Sequence, residues 1–189
     1  MVMFEKEGFI EGCRAALKEH DTHSAIRELV AEAVNAPAGI IRVLGEPKRA
    51  GVETIYRAND LTILNLCWGP HMKFKPHDHR MWAVIGIYGG REHNTFYGRA
   101  KQGLEQHGRK ELNAKDTTPL GAMVIHAVTN PLDQITAAIH VYGGDFFATP
   151  RSEWDPESFE ERPYDIEDTI RAFDKANELL RVKSDQPQH

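Results

Sequence analysis

A chain of 189 residues suits one domain with a sizeable core, and 41% apolar residues can fill it. Its 23 Lys+Arg against 28 Asp+Glu leave a net charge of −5, which gives no electrostatic footprint for nucleic acid or a membrane surface. Two cysteines, Cys13 and Cys67, exclude a disulfide framework and fit a reducing compartment. No apolar run reaches the roughly 18 residues of a membrane span. The acidic start, MVMFEKEGFIEG, lacks a signal peptide's apolar core. A soluble cytoplasmic domain spanning 1–189 is expected.

The first third reads as helical. Phe4, Phe9, Ile10, Cys13, Ala16 and Leu17 recur at helical spacing, which predicts a helix over 3–19. Ile26, Leu29, Val30 and Ala33 predict a second from about Thr22 to Val34, with Thr22 or Ser24 as its N-cap. Asn35-Ala36-Pro37-Ala38-Gly39 should stop it, so the helical part is 1–38.

From about 40 to 148 the texture is that of a β domain. Short apolar runs are bounded by Gly, Pro, Asn and Asp. Strands are predicted at Leu61–Trp68, Trp82–Tyr88, Glu92–Tyr97, Ala122–Val128 and Ile135–Tyr142. Residues 99–116 are polar and fit either edge strands or loop. An acidic, polar stretch runs from Pro150 to Pro163. Asp165 then caps a last helix over about 165–182, with Ile166, Ile170, Phe173 and Leu180 as its stripe and Ala176 and Leu179 beside it. Ser184–His189 reads as a disordered tail. The whole is a barrel-like all-β core flanked by N-terminal and C-terminal helices.

Ten histidines are many for this length, and their positions matter more than their number. In the extended segment Pro76-His77-Asp78-His79, residues i and i+2 face the same side. His77 and His79 therefore aim two imidazoles at one point, a good bidentate metal grip. His126 lies inside the apolar run Ala122–Val128, where an unsatisfied imidazole is costly. A curled sheet would bring it to the first two. On the next strand Thr136, Ala138, His140 and Tyr142 share a face, so His140 and Tyr142 can bond each other or a ligand. A core-histidine reading of His126 competes with a ligand reading. His71, His93 and His107 fit the surface, and His20, His23 and His189 have no partner pattern. Glu92 reads as solvated or salt-bridged. No P-loop, dinucleotide-binding, nucleophile-elbow, CxxC or HExxH motif occurs.

These residues resemble the cupin double-stranded β-helix, and within it the thiol dioxygenases of the cysteine dioxygenase type. Leu66-Cys67-Trp68-Gly69 followed by His77-Asp78-His79, then His126-Ala127-Val128-Thr129-Asn130 and His140-Val141-Tyr142, carry the likeness in order over roughly 50–148. The stretch from Pro76 to Tyr97 is also similar to a bacterial branch described only as predicted metal-dependent double-stranded β-helix enzymes. The resemblance implies an oxidoreductase with His77, His79 and His126 as ligands of Fe(II), with zinc, nickel or manganese as the alternative occupants in the isolated protein. It further implies that a small thiol of the cysteine or 3-mercaptopropionate type is oxidised to its sulfinate with O2. Arg57, in Tyr56-Arg57-Ala58-Asn59, would hold the substrate carboxylate, and Trp82 would wall the pocket. Tyr142, oriented by His140, would serve as the catalytic hydrogen-bonding group. The sequence departs from the family pattern at Val84, where the animal enzyme has its cross-linking cysteine, and at Ala138, where the family has a serine. Alternatives are a zinc hydrolase or isomerase on the same histidines and a cupin that only binds a small ligand. No nucleic-acid or membrane partner is expected, and monomer and homodimer both stay open.

Overall fold

The computed structural model describes residues 4–184. Met3, at the start of the first expected helix, and the expected tail after Ser184 lie outside the described residues. Three helices come first: α1 (Lys6–Ala16), α2 (Thr22–Asn35) and α3 (Pro37–Leu44). Asp21, rather than Thr22 or Ser24, caps α2, its carboxylate accepting from the Ser24 backbone N–H at 3.1 Å. Pro37 opens α3 instead of ending the helical region. It sits in the first turn, where its missing N–H is not needed.

Eleven strands follow: β1 (Gly51–Arg57), β2 (Thr62–Trp68), β3 (Lys73–Asp78), β4 (Ala83–Gly89), β5 (Arg91–Arg99), β6 (Leu104–Asn113), β7 (Thr117–Leu120), β8 (Ile125–Thr129), β9 (Thr136–Tyr142), β10 (Ser152–Trp154) and β11 (Glu161–Pro163), then helix α4 (Ile166–Ser184). The polar stretch 99–116 is mostly β6, paired along its length with β5. The acidic stretch after Pro150 supplies β10 and β11.

Two antiparallel sheets form, ordered β1-β2-β9-β4-β7 and β11-β10-β3-β8-β5-β6. The pairings nest: β5 with β6, β4 with β7, β3 with β8, β2 with β9. One long hairpin is thus wound into two facing sheets, which is the double-stranded β-helix of jelly rolls. Period-2 alternation divides each central strand between two cores. On β2, β4 and β9, Ile63, Val84, Ile139 and Val141 face the helices. Leu64, Ile85, Ala138 and Tyr142 face the second sheet. Cys13 and Cys67 are buried on the helical side, where burial pushes their thiols up to about 12 and about 11, and they stay inert small hydrophobes.

Helix α2 crosses β4 at Gly86, where only a missing side chain permits the approach. A Cβ there would meet Val30 Cγ1 at 2.3 Å and Val34 Cγ1 at 2.9 Å, both on buried residues. Gly86→Ala should therefore lower stability by about 1–3 kcal/mol through overpacking, despite alanine's better backbone entropy. Urea unfolding checks this, and an unchanged midpoint would count against the close contact.

The stripe of α4 is turned from its expected position. Phe173, Ala176 and Asn177 are buried, whereas Ile166 and Ile170 are half exposed at 47% each. Asn177 explains the turn. Its Oδ1 accepts from Ala50 N–H at 2.8 Å and its Nδ2 donates to Ala50 O at 2.9 Å, so a polar clasp fixes α4 against the start of β1. Among the described residues no helix is long and apolar enough to cross a membrane.

Candidate metal centre

The nested pairing brings the three histidines together. His77 on β3 stands directly opposite His126 on β8, after a bulge between Phe74 and His77. His79 follows the end of β3. The next residue, Arg80, has φ +56°, a left-handed turn. Asp78 points away and braces that turn, accepting from Arg80 Nε at 2.6 Å and from Ser152 N–H at 2.9 Å. His77 and His79 thus present one face, as the spacing predicts.

One nitrogen from each of His77, His79 and His126 lies within 4.8 Å of the others. His126 Nε2 is 3.4 Å from His79 Nε2. The imidazoles are 8%, 5% and 1% exposed. His77 Nδ1 donates to Lys75 O at 2.8 Å, and His126 Nδ1 donates to Asn94 Oδ1 at 2.7 Å. Each bond leaves Nε2 unprotonated and free to ligate. Burial pushes His77 down to about 4 and holds His79 and His126 well below the ordinary histidine value, so all three stay neutral at pH 7. Buried neutral imidazoles with converging Nε2 atoms fit a divalent transition metal. No carboxylate belongs to the cluster.

Behind His126 runs a buried polar chain. Trp68 Nε1 donates to Glu92 Oε2 at 2.8 Å, Asn94 Nδ2 donates to Glu92 Oε1 at 2.7 Å, and Asn94 in turn holds His126. Glu92 is fully buried, which corrects the expectation of a solvated or salt-bridged side chain. Its carboxyl titrates above the ordinary range because burial penalises the charge. The alternation Glu92, Asn94, Phe96 on β5 is the sequence signal for this inward face.

Across the barrel on β9, Tyr142 and His140 are buried and joined by a 2.9 Å bond between the phenol and His140 Nδ1. The Tyr142 ring centroid is 5.1 Å from that of His79. Burial pushes His140 down to about 3 and raises the Tyr142 phenol. His140 Nε2 is buried without a partner.

Two expected substrate residues are elsewhere. Arg57 is about half exposed and forks onto Asp145, with contacts at 2.9–3.1 Å, and its guanidinium stacks on Phe147. Trp82 sits on the helical side of the first sheet against His23, centroids 5.2 Å apart. Neither lines the cavity above the histidines. Arg151 and Trp68 do, and sequence reasoning assigned neither to the site. Of the other histidines, His71 pairs with Asp133 and His93 with Glu111 on the surface, and His107 is exposed.

No family model matches the chain. Solved structures similar to it share low identity with it, and several are described as cupins. An RmlC-like cupin with a double-stranded β-helix from Methanocaldococcus jannaschii matches at 13% identity over 53% of this chain and 84% of that one, TM-score 0.45. A double-stranded β-helix protein from Klebsiella pneumoniae matches at 13% over 56% and 79%, TM-score 0.44. A variant oxalate decarboxylase from Bacillus subtilis matches at 13% over 53% of this chain and 27% of that one, TM-score 0.44. The chain's own nested strand pairing carries the fold: a double-stranded β-helix with helices at both ends, enclosing a buried three-histidine cluster fit for a metal.

Proposed function

We propose that the protein is an Fe(II)-dependent dioxygenase that converts a small thiol to its sulfinate, RSH + O2 → RSO2H. The observation that supports it most is the pairing of a carboxylate-free three-histidine cluster with the buried His140–Tyr142 couple on the opposite wall. The ordered resemblance around His77, His79, His126 and His140 points the same way.

His77, His79 and His126 would hold the iron through Nε2. Bound there, iron supplies open positions that acidify a thiol and activate O2. The chain's own groups do the rest. Arg151, with a buried Nη1 that has no partner, takes the carboxylate-holding role that Arg57 does not fill. The His140–Tyr142 couple uses one of its two hydrogens in its own bond and offers the other to the polar end of the substrate. Helix α4 and Phe173 shield the cavity from water.

The deciding experiment is metal analysis of protein purified without added metal, together with thiol-dependent O2 uptake. Iron with uptake supports the reading, and zinc with no iron overturns it. Tyr142→Phe should lower turnover by about 10²-fold, the scale of a positioned proton donor, and leave the metal content unchanged. Metal loss in that variant would make Tyr142 a structural support of the cluster instead.

A further inference from the structure

The cavity that ends on the histidines is larger and more apolar than a small zwitterion needs. Its volume is about 430 Å³, within the range of roughly 300–1,000 Å³ for pockets that enclose drug-sized ligands. One wall is aromatic. Trp68 and Phe173 stack with centroids 5.9 Å apart and planes 8° apart, and Phe74 packs against both at 4.7 and 5.5 Å. Leu66, Val128 and Ile170 continue this surface. The Trp68 indole cannot offer its N–H to a ligand, because Glu92 holds it.

The other end carries a single kind of recognition. The Arg151 guanidinium lies between the rings of Phe146 and Tyr164, at 3.8 and 4.3 Å from their centroids. Among the described residues no ion pair engages it, and its Nη1 is buried without a hydrogen bond. His140, 2% exposed, also lines this cavity and keeps its Nε2 without a hydrogen bond. Arg151 is part-buried, and a cation whose Nη1 is buried without an anion is costly, so Arg151 marks the place of a missing anionic group. For an ammonium group the cavity offers only Asp174, which is exposed on α4.

We propose that the cavity binds an amphipathic monocarboxylate, its carboxylate on Arg151 and its aliphatic or aryl body against Trp68, Phe74 and Phe173. This deepens the thiol dioxygenase reading, on which it rests for the reaction: the substrate would be a mercapto-carboxylate with an apolar body and no amino group.

Calorimetric titration of the metal-free full chain tests the binding without iron, O2 or turnover. The probes are octanoate, acetate, octanol and 6-aminohexanoate. Octanoate should bind, and the other three should bind at least about 30-fold more weakly. Octanol leaves the Arg151 charge unpaired and 6-aminohexanoate brings an unpaired ammonium against the apolar wall, each costing at least about 2 kcal/mol. Acetate lacks the methylenes that would cover that wall at about 0.8 kcal/mol each. Arg151→Met should weaken octanoate by a similar factor, and Phe173→Ala should weaken octanoate while leaving acetate unchanged. Octanol matching octanoate would overturn the carboxylate end, and acetate matching octanoate would overturn the apolar wall. Both comparisons use the unaltered protein, so a variant that fails to fold leaves the test intact. Octanoate binding without thiol oxidation would sink the dioxygenase reading alone. Thiol oxidation without octanoate binding would sink this inference alone.

Discussion

Replacing His126 with alanine is expected to strip the protein of its metal and its turnover together. His126 is 1% exposed, its Nδ1 is committed to Asn94, and its Nε2 lies 3.4 Å from that of His79. Losing an outer partner of a ligand typically costs 10–100-fold in metal affinity, so losing the ligand itself should exceed about 100-fold. Metal content after dialysis should fall to near zero. The metal-induced rise in melting temperature should vanish as well, because a ligand at about 100 times its Kd stabilises by about 2.7 kcal/mol. His140→Ala is the matched control. It empties an equally buried site outside the cluster and should leave the metal in place. One metal ion per chain retained by His126→Ala would refute the three-histidine site.

The second large effect belongs to Glu92. Glu92→Ala strands two buried donors, Trp68 Nε1–H and the Asn94 amide, each bonded to the carboxylate at 2.7–2.8 Å. At about 1–3 kcal/mol for each unsatisfied group, the loss should reach roughly 2–6 kcal/mol in chemical denaturation. It should also loosen Asn94 and so lower metal affinity by about 10–100-fold. Glu92→Gln separates the two effects. Its amide keeps one acceptor and turns a donor toward a donor, so it should cost less than alanine. A Glu92→Ala protein as stable as the parent would mean that water replaces the carboxylate.

The metal cluster was legible because its signal is local. His77 and His79 share a face by period 2, and His140 and Tyr142 do the same on β9. His126 was legible as a polar exception in an apolar run, and the curled sheet closes the 49 residues between it and His77. The substrate side was not legible, because it is built by distant pairings. Arg151 reaches the cavity only because β10 pairs with β3, placing Glu153 opposite His77. Nothing near Pro150 announces that strand. Arg57 is occupied by Asp145, 88 residues later, a pairing that local pattern does not reveal. Glu92 was read as solvated or salt-bridged, while its alternation with Asn94 on β5 already pointed inward. Pro37 was misread because proline ends one helix and begins the next equally well.

The clasp between Asn177 and Ala50 joins residues 127 apart in the chain. Its consequence is one of timing. During synthesis every histidine and strand of the cluster is made before the segment that roofs it, so the nascent barrel spends its first moments with Trp68 and Phe74 open to water. Docking of α4 is therefore the step that converts an exposed aromatic trough into a roofed chamber, and pairing of the strands alone does not complete it.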